Sequence, residues 1–183
     1  MGFIRRILGY WVRDREGSTA IEFAIVVVPF AITAAFIIEL AMVYTANSLM
    51  IGAVQDAVRA VRTGQVQVIS DPDEAEDFFR EQICNHIPVR LVNCNSIQFS
   101  VEVMDAFASA DTDTELNEDG EIEGEEFDTG GSGDIVMVRV LYYHPLLTPI
   151  VSEFLSDSPN NTKLMTSAFV FQTEPYDFDD DVI

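Results

Sequence analysis

Apolar and polar positions follow one rhythm near the N-terminus and others beyond it. From Ala20 to Tyr44 the chain is almost wholly apolar, with two acids, Glu22 and Glu39, and no base. As a helix this run would reach roughly 37 Å, more than the ~30 Å of bilayer hydrocarbon, so a transmembrane helix over 18–46 is expected. After Tyr44 the pattern turns amphipathic, with Ile51, Val54, Val58 and Val61 on one helical face. Arg59 and Arg62 suit the negative end of the helix dipole, and Gly64 suits a C-cap. One helix from Ser18 to about Thr63 is therefore predicted. Its extension 47–63 should pack on a soluble domain, and Pro29 should kink it.

The remaining pattern predicts a small α+β domain over 47–183. Asp71 and Pro72 open a second helix that runs to His86, with Phe78, Phe79 and Ile83 on its apolar face. Ile97, Phe99, Val101 and Val103 alternate with polar residues, as in a strand buried on one face. Ile135–Tyr143 is apolar on both faces except at Arg139, as in a central strand. Leu164–Thr173 supplies a third strand. A proline-rich connection before it holds a short helix at Ile150–Leu155. The expected fold is a long N-terminal transmembrane helix continuing into a mainly antiparallel sheet of about three strands.

Charge fixes the orientation. Residues 1–17 carry Arg5, Arg6, Arg13 and Arg15 against Asp14 and Glu16. The positive-inside rule makes them a cytoplasmic leader and puts 47–183 outside, which in a two-membrane bacterium is the periplasm. The apolar run is too long for an ordinary secretory signal, and no small-x-small site follows a short apolar core. The whole chain has formal charge −21; the leader contributes four bases and two acids, so the remainder stands at −23. Nucleic acid is thereby excluded as a partner, because phosphate binding needs a basic surface.

An oxidising compartment allows Cys84 and Cys94 to pair, and their spacing is not the CxxC of thiol oxidoreductases. A structural disulfide is expected over free thiols. Residues 105–134 hold twelve acids and no Lys or Arg, and close on Gly130-Gly131-Ser132-Gly133. They read as a solvated, flexible acidic loop. The alternative is an EF-hand-like calcium loop, with ligands from Glu115, Asn117, Asp119, the Glu121 carbonyl, Glu123 and Glu126 and a turn at Gly120. A Glu in the first ligand position and the lack of an entering helix depart from that pattern. No cofactor is expected, with calcium as the one candidate. His86 and His144 lack neighbouring ligands for zinc, and no Walker A, HExxH or GxSxG pattern occurs. Catalytic residues are not expected. The acidic tail 174–183 should be mobile.

The residues Gly17-Ser18-Thr19-Ala20-Ile21-Glu22-Phe23-Ala24 stand where the leader meets the apolar run. This stretch resembles the processing site of type IV prepilin-like proteins, and most closely that of TadE-like pseudopilins of the tight-adherence (Tad, Flp-pilus) system. Arg62-Thr63-Gly64-Gln65, the Cys84/Cys94 pair and Thr173-Glu174-Pro175-Tyr176 extend the likeness; the acidic stretch 105–134 has no counterpart in it. The resemblance implies cleavage after Gly17 by a prepilin peptidase, leaving Ser18 first and Glu22 fifth. It implies that Glu22 pairs with the terminal amine of a neighbouring subunit and sets the axial register. Implied partners are other pilins or pseudopilins and inner-membrane assembly proteins, with surface adherence as the outcome. Glu39 lies near the outer end of the span, where it either snorkels to the interface or meets a partner helix. Two other readings stand beside this one: an uncleaved, membrane-anchored periplasmic binding module, and an anchored enzyme with an unrecognised site.

Overall fold

The computed structural model describes residues 18–85, 87, 91–111, 116–117, 120–122, 126–158 and 160–176. Its elements run α1 (Ser18–Arg62), α2 (Pro72–Asn85), β1 (Ile97–Met104), β2 (Ile135–Pro145), α3 (Pro149–Leu155) and β3 (Thr162–Gln172). The chain divides into two compact units, with the boundary between Leu40 and Ala41. The α+β class, the long apolar helix and the three-stranded antiparallel sheet are as the sequence predicts.

Helix α1 continues through Pro29, where the Thr33 hydroxyl donates to the Pro29 carbonyl at 2.8 Å. It stops at a Schellman-type end. The Gln65 N–H donates to the Ala60 carbonyl and the Gly64 N–H to the Val61 carbonyl, while Gly64 takes φ +79°. Only glycine adopts that angle without a Cβ penalty. Asp71 caps α2 as predicted, accepting the Asp73 N–H at 3.0 Å.

In the 41–183 unit the sheet order is β1-β2-β3, antiparallel throughout, with Ile97 opposite Tyr142 and Val136 opposite Phe171. One sheet face carries Ile97, Phe99, Val101, Val136, Val138, Val140, Tyr142 and Met165. These residues share a core with α1 and α2. The contribution of α1 differs from expectation. Val54, Val58 and Val61 are buried, but Ile51 is only half-buried, and Val43, Ala46, Met50, Ala53, Ala57 and Ala60 complete the stripe. Alanines bring the helix axis close to its neighbours, so the packed face is wider than the branched residues alone suggest.

The second sheet face corrects the reading of β1 as buried on one side only. Ser100, Met137 and Leu141 are buried there, while Val103 on the first face is exposed. The acidic connection covers this second face. The Ile122 N–H donates to Gln98 Oε1, the Arg139 guanidinium donates to the Asp111 carbonyl, and the Tyr143 hydroxyl donates to the Gly120 carbonyl. Arg139 also pairs with Glu102. The connection then meets the outer edge of β1 through Val101 and Phe127. Phe127 completes an aromatic cluster with Phe79 and Phe99, at ring centroid distances of 5.8 and 6.0 Å.

The Gly130–Gly133 segment and residues 174–176, expected to be a flexible connection and the start of a mobile tail, are hydrogen-bonded to neighbouring segments. Gly131 donates to Asp134, Thr173 Oγ1 donates to the Gly131 carbonyl, and the Tyr176 N–H donates to Ser132. The Glu174 N–H reaches the Arg62 carbonyl at 2.9 Å, and the two side chains pair at 3.1 Å. Residues 177–183 lie outside the described residues.

Burial raises the pKa of Tyr176 above its ordinary value of 10.0, Asp134 adds repulsion, and a hydrogen bond with Thr173 opposes both. The neutral phenol is thus favoured by folding. This contribution is fully present below pH 10 and is lost as pH rises through the higher folded-state value. Tyr176→Phe is expected to flatten the alkaline fall in melting temperature; parallel curves for both proteins from pH 9 to 12 would contradict this.

Cys84 and Cys94 form a disulfide, with Cα atoms 5.8 Å apart. It ties the end of α2 to the turn that leads into β1. Closing so short a loop contributes about 2–3 kcal/mol on the chain-entropy account. Reduction, or Cys84→Ser with Cys94→Ser, should lower stability by that amount in a denaturant titration; an unchanged midpoint would speak against it.

Candidate functional site

The predicted site residues concentrate on the first part of α1. Ile21, Phe23, Ile25, Val26, Val28 and Phe30 are all largely exposed. This helix passes the length and hydropathy requirements for a membrane span, and its most apolar stretch buries nothing within the protein. Its surface therefore requires lipid or other helices as its surroundings. Glu22 is exposed on this surface, just past the first turn.

Glu39 is different: it is 2% exposed. Seventeen residues of helix place it about 25 Å from Glu22 along the axis and about 100° around it. The two carboxylates therefore address different surroundings and cannot share one proton or ion. Gly17 lies outside the described residues. Ser18 begins the described helix.

In the 41–183 unit, three of the six candidate calcium ligands are described: Asn117, Glu121 and Glu126. Glu115, Asp119 and Glu123 lie outside the described residues. The Asn117 N–H donates to the Glu121 carbonyl at 2.9 Å, and the Glu121 N–H donates to Asn117 Oδ1 at 2.9 Å. Gly120, at φ +79°, closes this turn so near Tyr143 that an added Cβ would lie 2.7 Å from the phenol oxygen. Two of the candidate oxygens thus bind the turn to itself. Among the described residues, no group of three or more His, Cys, Asp or Glu is placed to hold a metal ion.

A cavity of about 340 Å³ lies between α2, β1 and the acidic connection, lined by Glu76, Arg80, Gln98, Glu121, Glu126 and Phe127 among others. The Arg80 guanidinium in its lining is engaged: it donates to the Ile97 carbonyl, pairs with Glu76 at 3.1 Å, and lies 4.6 Å from the Phe99 ring centroid. Among the described residues, no Ser, Cys or His lines it. His144 is buried beside Tyr142, and His86 lies outside the described residues.

Sequence reasoning singled out the α1 residues by their spacing. It missed the role of Ile122 and Phe127 in holding the acidic connection; two apolar residues in a strongly acidic stretch were the available signal. No curated protein and no solved structure matches the chain. Residues 17–59, which hold the apolar run, Glu22, Pro29, Glu39 and most of the amphipathic extension, match the model of the TadE-like protein family.

Proposed function

We propose that this protein is a TadE-like pseudopilin, a non-catalytic membrane-anchored subunit cut after Gly17 by a prepilin peptidase. The observation that carries this reading is the TadE-like match over 17–59, which includes a helical stretch whose apolar residues are unburied within the chain. In this reading the leader stays in the cytoplasm, α1 spans the inner membrane, and the 41–183 unit lies in the periplasm. Processing gives Ser18 a new ammonium group. Glu22 of a neighbouring chain pairs with it inside the membrane, where an ionised carboxylate needs a partner. Helix stacking in register then builds or primes a Tad/Flp-type pilus or secretion apparatus used in surface adherence. Other pilins and inner-membrane assembly proteins are the partners. The acidic connection serves as a folded cover for the sheet.

N-terminal sequencing of the membrane-extracted protein, with and without the prepilin peptidase, tests this reading. A start at Ser18 that depends on the peptidase is expected. An intact Met1 in the presence of active peptidase would reject processing and leave a fixed membrane anchor.

A further inference from the structure

The connection between β2 and β3 exposes three large apolar side chains. Leu147, Ile150 and Phe154 are 71%, 53% and 76% exposed; Ile150 and Phe154, four residues apart, share one face of α3, and Leu147 stands in the lead-in just before it. The opposite face of α3 is anchored through buried Val151 and Ser152, and Leu155 packs on the core. The connection is held firmly at its base. The Leu146 N–H donates to the Asn161 carbonyl, the Asp157 N–H donates to the Thr162 carbonyl, and Lys163 pairs with Asp157 at 2.7 Å. The exposed trio is thus a fixed feature of the surface, with no apolar cover among the described residues.

Its position follows from chain lengths inside the 41–183 unit. Glu174, just past β3, binds Arg62 at the end of α1. Ile135 pairs with Gln172, so the start of β2 and the end of β3 lie at the Arg62 end. The β2–β3 connection leaves the sheet ten residues away, roughly 33 Å along the strands. Ala41, where the chain enters this unit from the apolar run, is twenty-one helical residues from Arg62, roughly 31 Å along the axis. Both α3 and the entry point therefore lie far from the Arg62 end. Charge is also favourable: residues 135–172 hold two acids, Glu153 and Asp157, and two bases, Arg139 and Lys163, in a chain of formal charge −21. A bilayer with anionic lipids does not repel this portion as it would the acidic connection.

We propose that Leu147, Ile150 and Phe154 dip into the boundary between headgroups and acyl chains of the bilayer that α1 spans. A short apolar helix face of this kind is buried ~5–10 Å deep at such a boundary. The contact rests on the membrane-anchored reading of α1. It gives the 41–183 unit a second point of attachment to the lipid surface besides the covalent one.

The test uses the full chain with Trp11, its single tryptophan, replaced by Phe, and with Phe154→Trp as reporter. The protein is placed in nanodiscs of phosphatidylethanolamine and phosphatidylglycerol, one chain per disc, with doxyl groups at a shallow or a deep acyl carbon. Position 154 is highly exposed, so the indole should not disturb folding. The expected result is blue-shifted emission and a loss of roughly half its intensity or more to the shallow quencher, with less to the deep one. Phe107→Trp, at an exposed position beyond the other end of β1, should remain unquenched. Water-like, unquenched emission from position 154 would overturn the proposal. So would equal quenching at 107, or a blue shift that arises only with several chains per disc, which would identify a second copy as the cover. Carbonate-resistant flotation of the same variants reads the α1 anchor separately: loss of flotation defeats the anchored reading, whereas flotation without quenching defeats only the lipid contact of α3.

Discussion

Glu22→Ala should insert into the membrane normally and yet fail to enter an assembly. The substitution removes a carboxylate from the exposed side of an apolar helix, so insertion becomes easier, not harder. What it takes away is the partner for the ammonium group that cleavage creates at Ser18 in the proposed scheme. Removing one member of a desolvated ion pair costs about 3–5 kcal/mol, because the other charge is left uncompensated. That corresponds to a loss of roughly a hundredfold to several thousandfold in the equilibrium for adding a subunit. Glu22→Gln should fail similarly, since it keeps the shape and loses the charge. The comparison is between the sheared surface fraction and the membrane fraction by immunoblot. Undiminished incorporation of both variants would reject the pairing. Glu39→Gln provides a contrast: Glu39 lies about 25 Å away along α1 and cannot reach the same ammonium group.

Phe79→Ala should produce the largest loss of stability among single truncations in the 41–183 unit. Phe79 is fully buried and meets Phe99 edge-on at 5.1 Å and Phe127 at 5.8 Å. One ring therefore joins α2, β1 and the acidic connection. Truncating a buried Phe costs about 3–5 kcal/mol, from lost transfer energy and the cavity left behind. For a chain of this size each kcal/mol lowers the melting temperature by roughly 2–4 °C, giving a drop on the order of 10 °C. Phe78→Ala, at a half-buried neighbour, should cost much less. Near-ultraviolet circular dichroism of the full chain in detergent gives the comparison. Equal melting temperatures for the wild type and Phe79→Ala would show that the three rings do not act as one cluster.

The two effects arise at different levels. In the proposed scheme Glu22 acts on a neighbouring subunit, whereas Phe79 acts through the aromatic cluster inside the 41–183 unit. The sequence makes the first visible because an acid within an apolar run is conspicuous against a uniform background. The second required the fold, because Phe78 and Phe79 are equivalent in composition and only helix rotation decides which enters the core.

The sequence by itself determined the elements and their approximate ends. Long-range apolar periodicity specified α1, Gly64 ended it, Asp71 started α2, and the double-sided apolar pattern of Ile135–Tyr143 made β2 central. Each of these signals is local, since it depends on backbone geometry or on burial repeated within one segment. Tertiary structure alone decided that alanines line the packed face of α1, that Ser100 is buried, and that Ile122 and Phe127 fold the acidic connection over the sheet and into its core edge. It also decided that Leu147, Ile150 and Phe154 face outward together. Side-chain chemistry states what a residue tolerates, but burial is set by what arrives from elsewhere in the chain. For the acidic connection that partner lies across the β1–β2 pair, a relation that no repeat within residues 105–134 encodes.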